Sequence, residues 1–468
     1  MTRHVPIRRV RATVVTLAAI GLLAACGGGP GEPSESATGG ETTESPSGGD
    51  DAAPIVELEG YPDLSGVTLE LAAQWTGPEQ DTVEAVLEPF EAATGARVDY
   101  LTTGSDVLPN IRAAVREGVP PNVAIVDRPS TMEQLALDES IVPLGDEVAA
   151  EVDANYAQTW ADLGSVDGDL YGVWFEASSK SIVWYNTAVY ADAGVAEPQT
   201  WEEFVAGLRA VSDSGVPGLS LGADIGWPLT DWFENVYVRT AGPEMYDRLS
   251  DREIPWTDPT VVEALEHLAE VWGDPDLLLP DALDTSFPES VTAVFTDPPE
   301  AGTVVGPDYT AGNIAYQTTA VVGEDASSFP WPSMDDSAPT VIGAGTLAVA
   351  FDGSEGTQAL MRYLASPEAA DVWIERGGIT SPNRNADLDL YGDLSSRRVA
   401  EQLVDAEVFR LDLFDNAPSS FGGPVPDGMW GILLDFLADP SDPAATAEEL
   451  EDAAVEAYPA PAAEADED

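Results

Sequence analysis

The sequence contains almost no cysteine, histidine or lysine. Its 468 residues include one cysteine, Cys26, two histidines, His4 and His267, and one lysine, Lys180. One cysteine cannot form an internal disulfide, and together with two histidines it cannot complete a Cys/His zinc site. Ser-His-Asp or Cys-His catalysis needs a base beside the nucleophile, and His267 lies in a helical pattern where a surface or boundary position is expected. We therefore expect no zinc site and no such catalytic arrangement. The acidic segment from Asp387 does not fit a calcium-binding EF-hand loop either, because Tyr391 and Arg398 occupy ligand positions, so we expect no metal and no other cofactor.

Positive charge is also scarce. The sequence has 19 basic and 84 acidic residues, for a formal net charge of −65. Such a chain is repelled by nucleic acids and by anionic membrane surfaces, so neither is an expected partner. The phosphate-binding pattern GxxxxGK[ST] is absent as well, which argues against nucleotide hydrolysis. We interpret the acidic excess as a solvated surface, which adaptation to salt would explain.

The N-terminal segment has the features of an export signal. Four arginines precede the apolar run "VVTLAAIGLLAA", which is too short to span a membrane as a permanent helix. The run ends in "LAAC", residues 23–26, which matches the bacterial lipobox and predicts a signal peptide over 1–25 and a lipid on Cys26. The alternative is a chance cysteine at the end of an ordinary signal peptide. Residues 26–60 are rich in Gly, Ser, Pro and acid, which predicts a disordered tether.

The remaining chain is long enough for two domains and has the pattern of an α/β protein. Strand patterns over "GVTLELAAQW", "ARVDYLT" and "NVAIVD" alternate with two helical patterns, which predicts a β-α-β-α-β run with a largely parallel sheet. The first of these helices should end at Gly95. Capping sequences predict later helices starting after Thr200, Ser366 and Thr446.

Aromatic residues recur beside polar ones in predicted loops. They are Trp75, Trp227, Tyr309 and Trp430, each close to a carboxylate or amide. Aromatic rings stack on the C–H faces of sugars while carboxylates and amides bind hydroxyls, so the mixture favours a neutral carbohydrate ligand. Thr76 and Glu79 also fit an ordinary capping box. Carboxylate pairs such as Asp231 and Glu234 leave open a secreted glycosidase, although pairs arise easily among 84 acidic residues.

Three longer segments resemble the extracellular solute-binding proteins of ABC transporters, in the carbohydrate-binding, maltose-binding-protein-like group. They are Asp167 to Phe204, with its Tyr-Asn, Ala-Gly and Pro-x-Thr-Trp-x-Glu elements, Gly343 to Asn383, and Trp227 to Val261, which is similar to the subgroup that handles alpha-glucosides. The likeness runs from about residue 66 to 450. It implies a periplasmic-binding-protein-like fold, in which two α/β lobes joined by hinge strands enclose a ligand cleft.

The resemblance also implies domain boundaries. Lobe 1 is expected over 61–174 and 330–376, lobe 2 over 175–329 and 377–455, and an acidic tail over 456–468.

The family's binding positions, placed residue by residue on this sequence and joined to the aromatic loops, nominate ten ligand-binding residues. They are Trp75, Glu79, Asp106, Asp127, Arg128, Glu176, Trp227, Asp308, Tyr309 and Trp430. The segment "FEASSK" departs from the maltose-binding pattern, which leaves open whether Glu176 or Lys180 faces the cleft.

These patterns together predict a monomeric, lipid-anchored receptor outside the membrane. It would capture a neutral carbohydrate, such as an alpha-glucoside or another oligosaccharide, without catalysis, and deliver it to the permease subunits of an ABC transporter that has a separate ATPase. The alternatives are a secreted glycoside hydrolase that uses paired carboxylates, and a binding protein for a non-sugar solute.

Overall fold

The fold is built on two larger β-sheets. The structure is a computed structural model, and it describes residues 58, 60–103, 107–126, 128–377, 379–423 and 426–458. Within these residues the strands are β1 Thr68–Ala73, β2 Arg97–Thr102, β3 Val123–Val126, β4 Ser165–Val166, β5 Asp169–Leu170, β6 Gly172–Ser179, β7 Ile182–Asn186, β8 Thr303–Val305, β9 Ala326–Pro330, β10 Thr340–Ala350 and β11 Val408–Leu411. The predicted signal peptide, Cys26 and most of the predicted tether lie outside the described residues.

Helices cover the sheets and fill most of the connections. They are α1 Pro78–Thr94, α2 Val107–Glu117, α3 Pro129–Leu137, α4 Asp146–Asn155, α5 Gln158–Leu163, α6 Thr187–Ala193, α7 Trp201–Ser214, α8 Trp227–Thr240, α9 Pro243–Ser250, α10 Pro259–Trp272, α11 Phe287–Phe295, α12 Thr310–Gln317, α13 Glu355–Leu364, α14 Pro367–Arg376, α15 Leu394–Asp405, α16 Leu413–Asn416, α17 Ser419–Gly422, α18 Met429–Ala438 and α19 Pro443–Ala457. Short 3₁₀ turns lie at Ala282–Asp284 and Leu388–Leu390. None of the helices in the described part of the chain is long and apolar enough to cross a membrane.

The first sheet has the strand order β11-β10-β3-β1-β2, and β6 pairs with β10 as well. Strand β1 is parallel to both β2 and β3, so the predicted β-α-β-α-β run is confirmed. Parallel strands present their carboxyl ends at one edge of a sheet, which is where open α/β sheets bind ligands. The chain leaves β1 at that edge through Gln74 and Trp75.

The second sheet, with the order β8-β7-β9, is antiparallel. Two connections join it to the first sheet, the short one from β6 to β7 through residues 180–181 and the longer one from β9 to β10 through residues 331–339. The chain therefore forms the two α/β lobes joined by hinge strands that the sequence predicts, while the exact lobe boundaries stay a prediction.

Buried aromatic residues anchor both lobes. The Trp160 ring packs against Trp174 and Phe409 around the first sheet, with centroids 4.8 and 4.2 Å away. In the second lobe Trp232 lies 5.0 Å from Trp331. Each fully buried side chain of this size removes enough apolar surface from water to stabilise the fold by roughly 2–3 kcal/mol.

The ends of helix α1 are set by glycines rather than by side-chain caps. Gly77, with φ of 64°, precedes the helix, and Gly95, with φ of 73°, ends it in the left-handed conformation that glycine adopts at little cost. The predicted stop at Gly95 is confirmed. The predicted capping box of Thr76 and Glu79 does not form, because no side chain caps this terminus. Pro78 at the first helical position favours the helix start instead, since its ring fixes φ near the helical value.

The predicted helix starts at Thr200 and Ser366 are confirmed, since both side chains accept a hydrogen bond from a first-turn N–H group. The start at Thr446 is wrong. Helix α19 begins four residues earlier because the Asp442 side chain accepts a bond from the N–H of Ala445 and Pro443 occupies the first helical position. His267 lies half-buried on α10 beside the ring of Trp201, as expected for a boundary residue.

Candidate functional site

A cavity of about 630 Å³ opens between the edge of the first sheet and the loop after β8. Its walls come from the end of β1, the middle of β6 and β10, the start of α12 and the segment after α14. The lining residues are Gln74, Glu176, Ala177, Ser178, Asp308, Tyr309, Ala311, Gly312, Ala344, Gly345, Thr346, Ile379 and Thr380. Side chains of both lobes therefore meet in one concave space.

A second cavity of about 350 Å³ adjoins the first, because Glu176 and Ile379 line both. The residues that line only the second cavity are Trp75, Pro78, Glu79, Thr82, Trp373, Arg376 and Gly377. We call the two cavities together the cleft. Five of the ten nominated residues line it, namely Trp75, Glu79, Glu176, Asp308 and Tyr309.

A bulge in strand β6 aims Glu176 into the cleft. In the pairing with β10, Glu176 lies opposite Thr346 and Trp174 opposite Leu347, so Phe175 is an extra residue without its own partner. The Phe175 ring packs on Trp75 and Trp373 at centroid distances of 5.8 and 5.1 Å. The bulged residue Phe175 thus supports the aromatic wall of the smaller cavity, and the next residue, Glu176, faces both cavities.

Two carboxyl groups of the cleft have raised pKa values. Burial raises the pKa of Glu176 to about 7, and repulsion from Asp308 and then Glu79 adds to the effect. Burial also raises the pKa of Asp308 to about 6, although hydrogen bonds from the backbone of Ser179 and Tyr309 and the charge of Lys180 oppose the shift. The cleft therefore holds carboxyl groups that change charge near neutral pH.

Tyr309 and Thr346 present polar groups to the larger cavity. The Tyr309 side chain is 54% exposed and its ring lies 6.2 Å from that of Phe287. Thr346 is 5% exposed, and its buried hydroxyl has no hydrogen-bond partner among the described residues. A buried hydroxyl without a partner costs free energy, and a polar ligand in the cavity would remove that cost.

Trp227 and Trp430 lie near the same end of the cleft but do not line it. The Trp227 ring packs 4.8 Å from Phe287, which also contacts Tyr309. Gly226, just before Trp227, approaches Trp430 so closely that an added Cβ would lie 2.8 Å from the Trp430 carbonyl oxygen. The two tryptophans are thus neighbours, and both are half-buried.

The remaining nominated positions are less well placed. Asp106 and Asp127 lie outside the described residues. Arg128 is half-buried at the N-cap of α3 and does not line the cleft as described.

Sequence reasoning missed the buried charge cluster around Lys180. The Lys180 ammonium contacts the carboxylate of Asp412, lies 3.7 Å from Asp231 and sits 4.5 Å from the Phe414 ring centroid. Glu234 is fully buried beside them and accepts hydrogen bonds from the Tyr246 hydroxyl and the Phe414 N–H. Burial, followed by the charges of Asp412 and Asp231, raises the pKa of Glu234 well above its usual range.

This cluster answers two questions left by the sequence. Glu176 faces the cleft, while Lys180 is held in an ion-pair cluster behind it. Asp231 and Glu234 are interior groups, 2% and 0% exposed, so they do not flank a substrate as a glycosidase pair would. Within the described residues, no group of three or more potential ligands is arranged to hold a metal ion.

Comparisons with known proteins agree on one family. The family model described as "Bacterial extracellular solute-binding protein" matches residues 75–371. The osmoprotective compounds-binding protein GgtB of Synechocystis is 34% identical over 77% of this chain and 86% of its own length. The alpha-glucosides-binding periplasmic protein AglE of Rhizobium meliloti is 31% identical over 83% of this chain and 87% of its own.

Solved structures show the same fold. The bacterial solute receptor AcbH superposes with a TM-score of 0.72 at 17% identity, over 83% of this chain and 99% of that one. At this level of identity the likeness supports the architecture of two lobes and a cleft.

Proposed function

The chain belongs to the bacterial extracellular solute-binding proteins, a family of receptors rather than enzymes, and on that premise we propose that it captures a neutral carbohydrate for an ABC transporter. The observation that carries the proposal is the composition of the cleft. Aromatic rings of Trp75, Trp373 and Tyr309 line it together with the carboxyl groups of Glu176 and Asp308. Rings stack on the apolar faces of sugar units, and carboxylates accept hydrogen bonds from hydroxyls.

Size supports a ligand of more than one sugar unit. The two joined cavities measure about 630 and 350 Å³, and ligand sites of a few hundred Å³ hold molecules of drug size. The smaller cavity has the Trp75 and Trp373 wall, and the larger has Asp308 and Tyr309, so an oligosaccharide that spans both would contact both lobes.

The name of one relative, AglE, supports a carbohydrate ligand. AglE is named for alpha-glucosides and GgtB for osmoprotective compounds, and both exceed 30% identity over most of this chain. The structural neighbour AcbH is reported to prefer β-D-galactopyranose. We propose an alpha-glucoside or a similar oligosaccharide as the ligand of this chain.

The mechanism is differential affinity. A ligand that contacts Trp75 and Glu79 on one side and Asp308 and Tyr309 on the other gains more contacts when the lobes close, so it shifts the population toward the closed form. Trp227 and Trp430 would complete the wall beside Tyr309 on closure. Asp106, Asp127 and Arg128 stay proposed ligand-binding residues on the basis of the sequence. The closed receptor then docks on the permease subunits, and a separate ATPase drives transport.

The proposal includes a membrane anchor at Cys26, on the basis of the "LAAC" sequence. Metabolic labelling with a radioactive or alkynyl fatty acid in a bacterial host tests it. We expect label on the wild-type protein and none on Cys26→Ser. Equal label on both would remove the anchor from the proposal without affecting the binding function.

A thermal-shift screen against neutral mono- and oligosaccharides tests the binding function. A ligand that binds only the folded state stabilises it by mass action and so raises the melting temperature. At a ligand concentration about a hundred times Kd, the free energy of unfolding rises by about 2.7 kcal/mol. We expect at least one neutral sugar to give a saturable shift. The panel includes a charged amino acid and a quaternary ammonium solute, and a saturable shift with those alone would contradict the carbohydrate proposal.

A further inference from the structure

A separate cavity of about 630 Å³ lies behind the hinge, and we call it the rear cavity. It is bounded by the end of β9, the connection 331–339, the start of β10 and helix α15, and it shares no lining residue with the cleft. Its walls therefore include the longer of the two connections between the sheets.

A buried arginine faces this cavity without a carboxylate partner among the described residues. Arg239 on α8 is 5% exposed. Its Nη1 donates to the main-chain and side-chain oxygens of Asn235, and its Nη2 donates to the Thr340 carbonyl. Its Nε has no hydrogen-bond partner in the described part of the chain. Burial lowers the pKa of Arg239 to about 9, which still leaves the guanidinium charged at neutral pH.

The acidic residues around the rear cavity do not supply the missing counter-ion. Glu197 is paired with Arg398 at 2.8 Å, and Glu401 with Arg397 at 3.0 Å. Asp405, at the end of α15, is exposed to solvent. Glu197 and Glu401 are thus engaged by other arginines, with Arg397 shared between Glu401 and Asp389, and Asp405 is solvated, while the charge of Arg239 is buried.

A neutral donor lies in the same wall. The hydroxyl oxygen of Ser337 accepts a hydrogen bond from the Met334 N–H, which leaves the Ser337 O–H able to donate. A buried cation without a counter-ion is costly, and a planar guanidinium with a free N–H suits an oxyanion.

The geometry points to the rear cavity as a binding site for a small oxyanion, a carboxylate, sulfate or phosphate, held by Arg239 and assisted by Ser337. The net charge of −65 repels anions at long range, so an oxyanion would be held by short-range contacts alone. At 0.1 M ionic strength that repulsion is screened beyond about 10 Å, whereas the short contact to Arg239 is not.

Isothermal titration calorimetry with sulfate, phosphate and acetate tests the inference, with sodium chloride replaced at constant ionic strength so that general salt effects cancel. We expect saturable binding of at least one oxyanion to the wild-type protein. No saturable heat with any of the three up to tens of millimolar would overturn the inference without any variant being needed.

Two variants locate the site. Arg239→Gln is expected to lower the oxyanion affinity at least tenfold, and Ser337→Ala by severalfold. The matched control is Arg209→Gln, since Arg209 is half-exposed in a surface ion pair with Glu270. Undiminished oxyanion binding by Arg239→Gln would overturn the inference. A crystal grown with selenate should show anomalous density beside Arg239, and density elsewhere only would also contradict it.

A sugar titration on the same proteins separates this inference from the proposed function. Because the rear cavity and the cleft share no residues, Ser337→Ala should keep the sugar affinity of the wild type even when its oxyanion binding is reduced.

Discussion

Asp308 and Ser179 are joined by two hydrogen bonds that tie the cleft to the crossing between the lobes. The Asp308 N–H donates to the Ser179 carbonyl at 3.0 Å, and the Asp308 Oδ2 accepts from the Ser179 N–H at 3.1 Å. Ser179 is the last residue of β6, directly before the connection to the second sheet. A carboxyl group that lines the cleft is therefore hydrogen-bonded to the strand that leads into the connection between the lobes. Under the proposed mechanism, a ligand contact at Asp308 would act directly on the connection between the two sheets.

Tyr309 offers a test of ring stacking with little risk to the fold. We expect Tyr309→Ala to lower the sugar affinity by roughly two- to tenfold, because an aromatic contact contributes on the order of 0.5–1.5 kcal/mol. The control is Tyr316→Ala on α12, the helix that directly follows Tyr309; Tyr316 is 95% exposed and lines no part of the cleft. Calorimetry on both variants checks the prediction, and equal losses of affinity would contradict it.

Thr346 separates ligand binding from stability. Thr346→Val keeps the shape of the side chain and removes a buried hydroxyl that has no partner among the described residues. The free energy of unfolding should stay the same or rise by about 1 kcal/mol, because the cost of desolvating the hydroxyl disappears. The sugar affinity should fall severalfold. A variant that loses stability and keeps its affinity would show that the hydroxyl does not serve the ligand.

The raised pKa of Glu176 makes stability depend on pH. An acid whose pKa is higher in the folded state stabilises the protein below its unfolded pKa, near 4.5, and that stabilisation is lost as the pH rises through about 7. Thermal unfolding between pH 5 and pH 8 should show the melting temperature falling with rising pH.

Glu176→Gln isolates this contribution from the other acids of the chain. The difference in the free energy of unfolding between the variant and the wild type should change by on the order of 2 kcal/mol from pH 5 to pH 8, since one pKa unit corresponds to about 1.4 kcal/mol. Parallel pH profiles for the two proteins would contradict the assignment.

Lys180 is expected to be essential for stability. Lys180→Met removes the ammonium that pairs with the buried carboxylates of Asp231 and Asp412, and breaking such a buried pair costs about 3–5 kcal/mol. Urea unfolding measures the loss. The double variant Lys180→Met, Asp412→Asn should recover part of it, because one of the uncompensated charges is removed. No recovery would show that Asp412 is not the main partner.

The start of the first lobe is the part of the fold that the sequence patterns predict best. The strands β1 to β3 and helices α1 and α2 follow from local periodicity, and glycine ends α1 where expected. The aromatic and polar residues after β1 and β8 line the cleft because the ends of strands place them there. Local signals were sufficient for these elements.

The site features that the sequence patterns do not predict share one physical cause. Trp373 lies on a regular helix, where its apolar pattern indicates core, and only tertiary packing brings it into the smaller cavity. Lys180, Asp231 and Asp412 are far apart in sequence and meet only in the folded chain. The bulge at Phe175 depends on the pairing with β10, so a single strand pattern does not reveal it. Contacts between distant segments were what the sequence alone left undetermined.

The most direct test of the account is a calorimetric titration of the purified protein with a panel of neutral alpha-glucosides and other oligosaccharides, followed by chromatography of the mixture. We predict saturable binding of at least one of them with one sugar per chain, unchanged sugar after incubation, and a clear loss of affinity in Tyr309→Ala. Binding of no neutral carbohydrate, or the appearance of cleavage products, would contradict it.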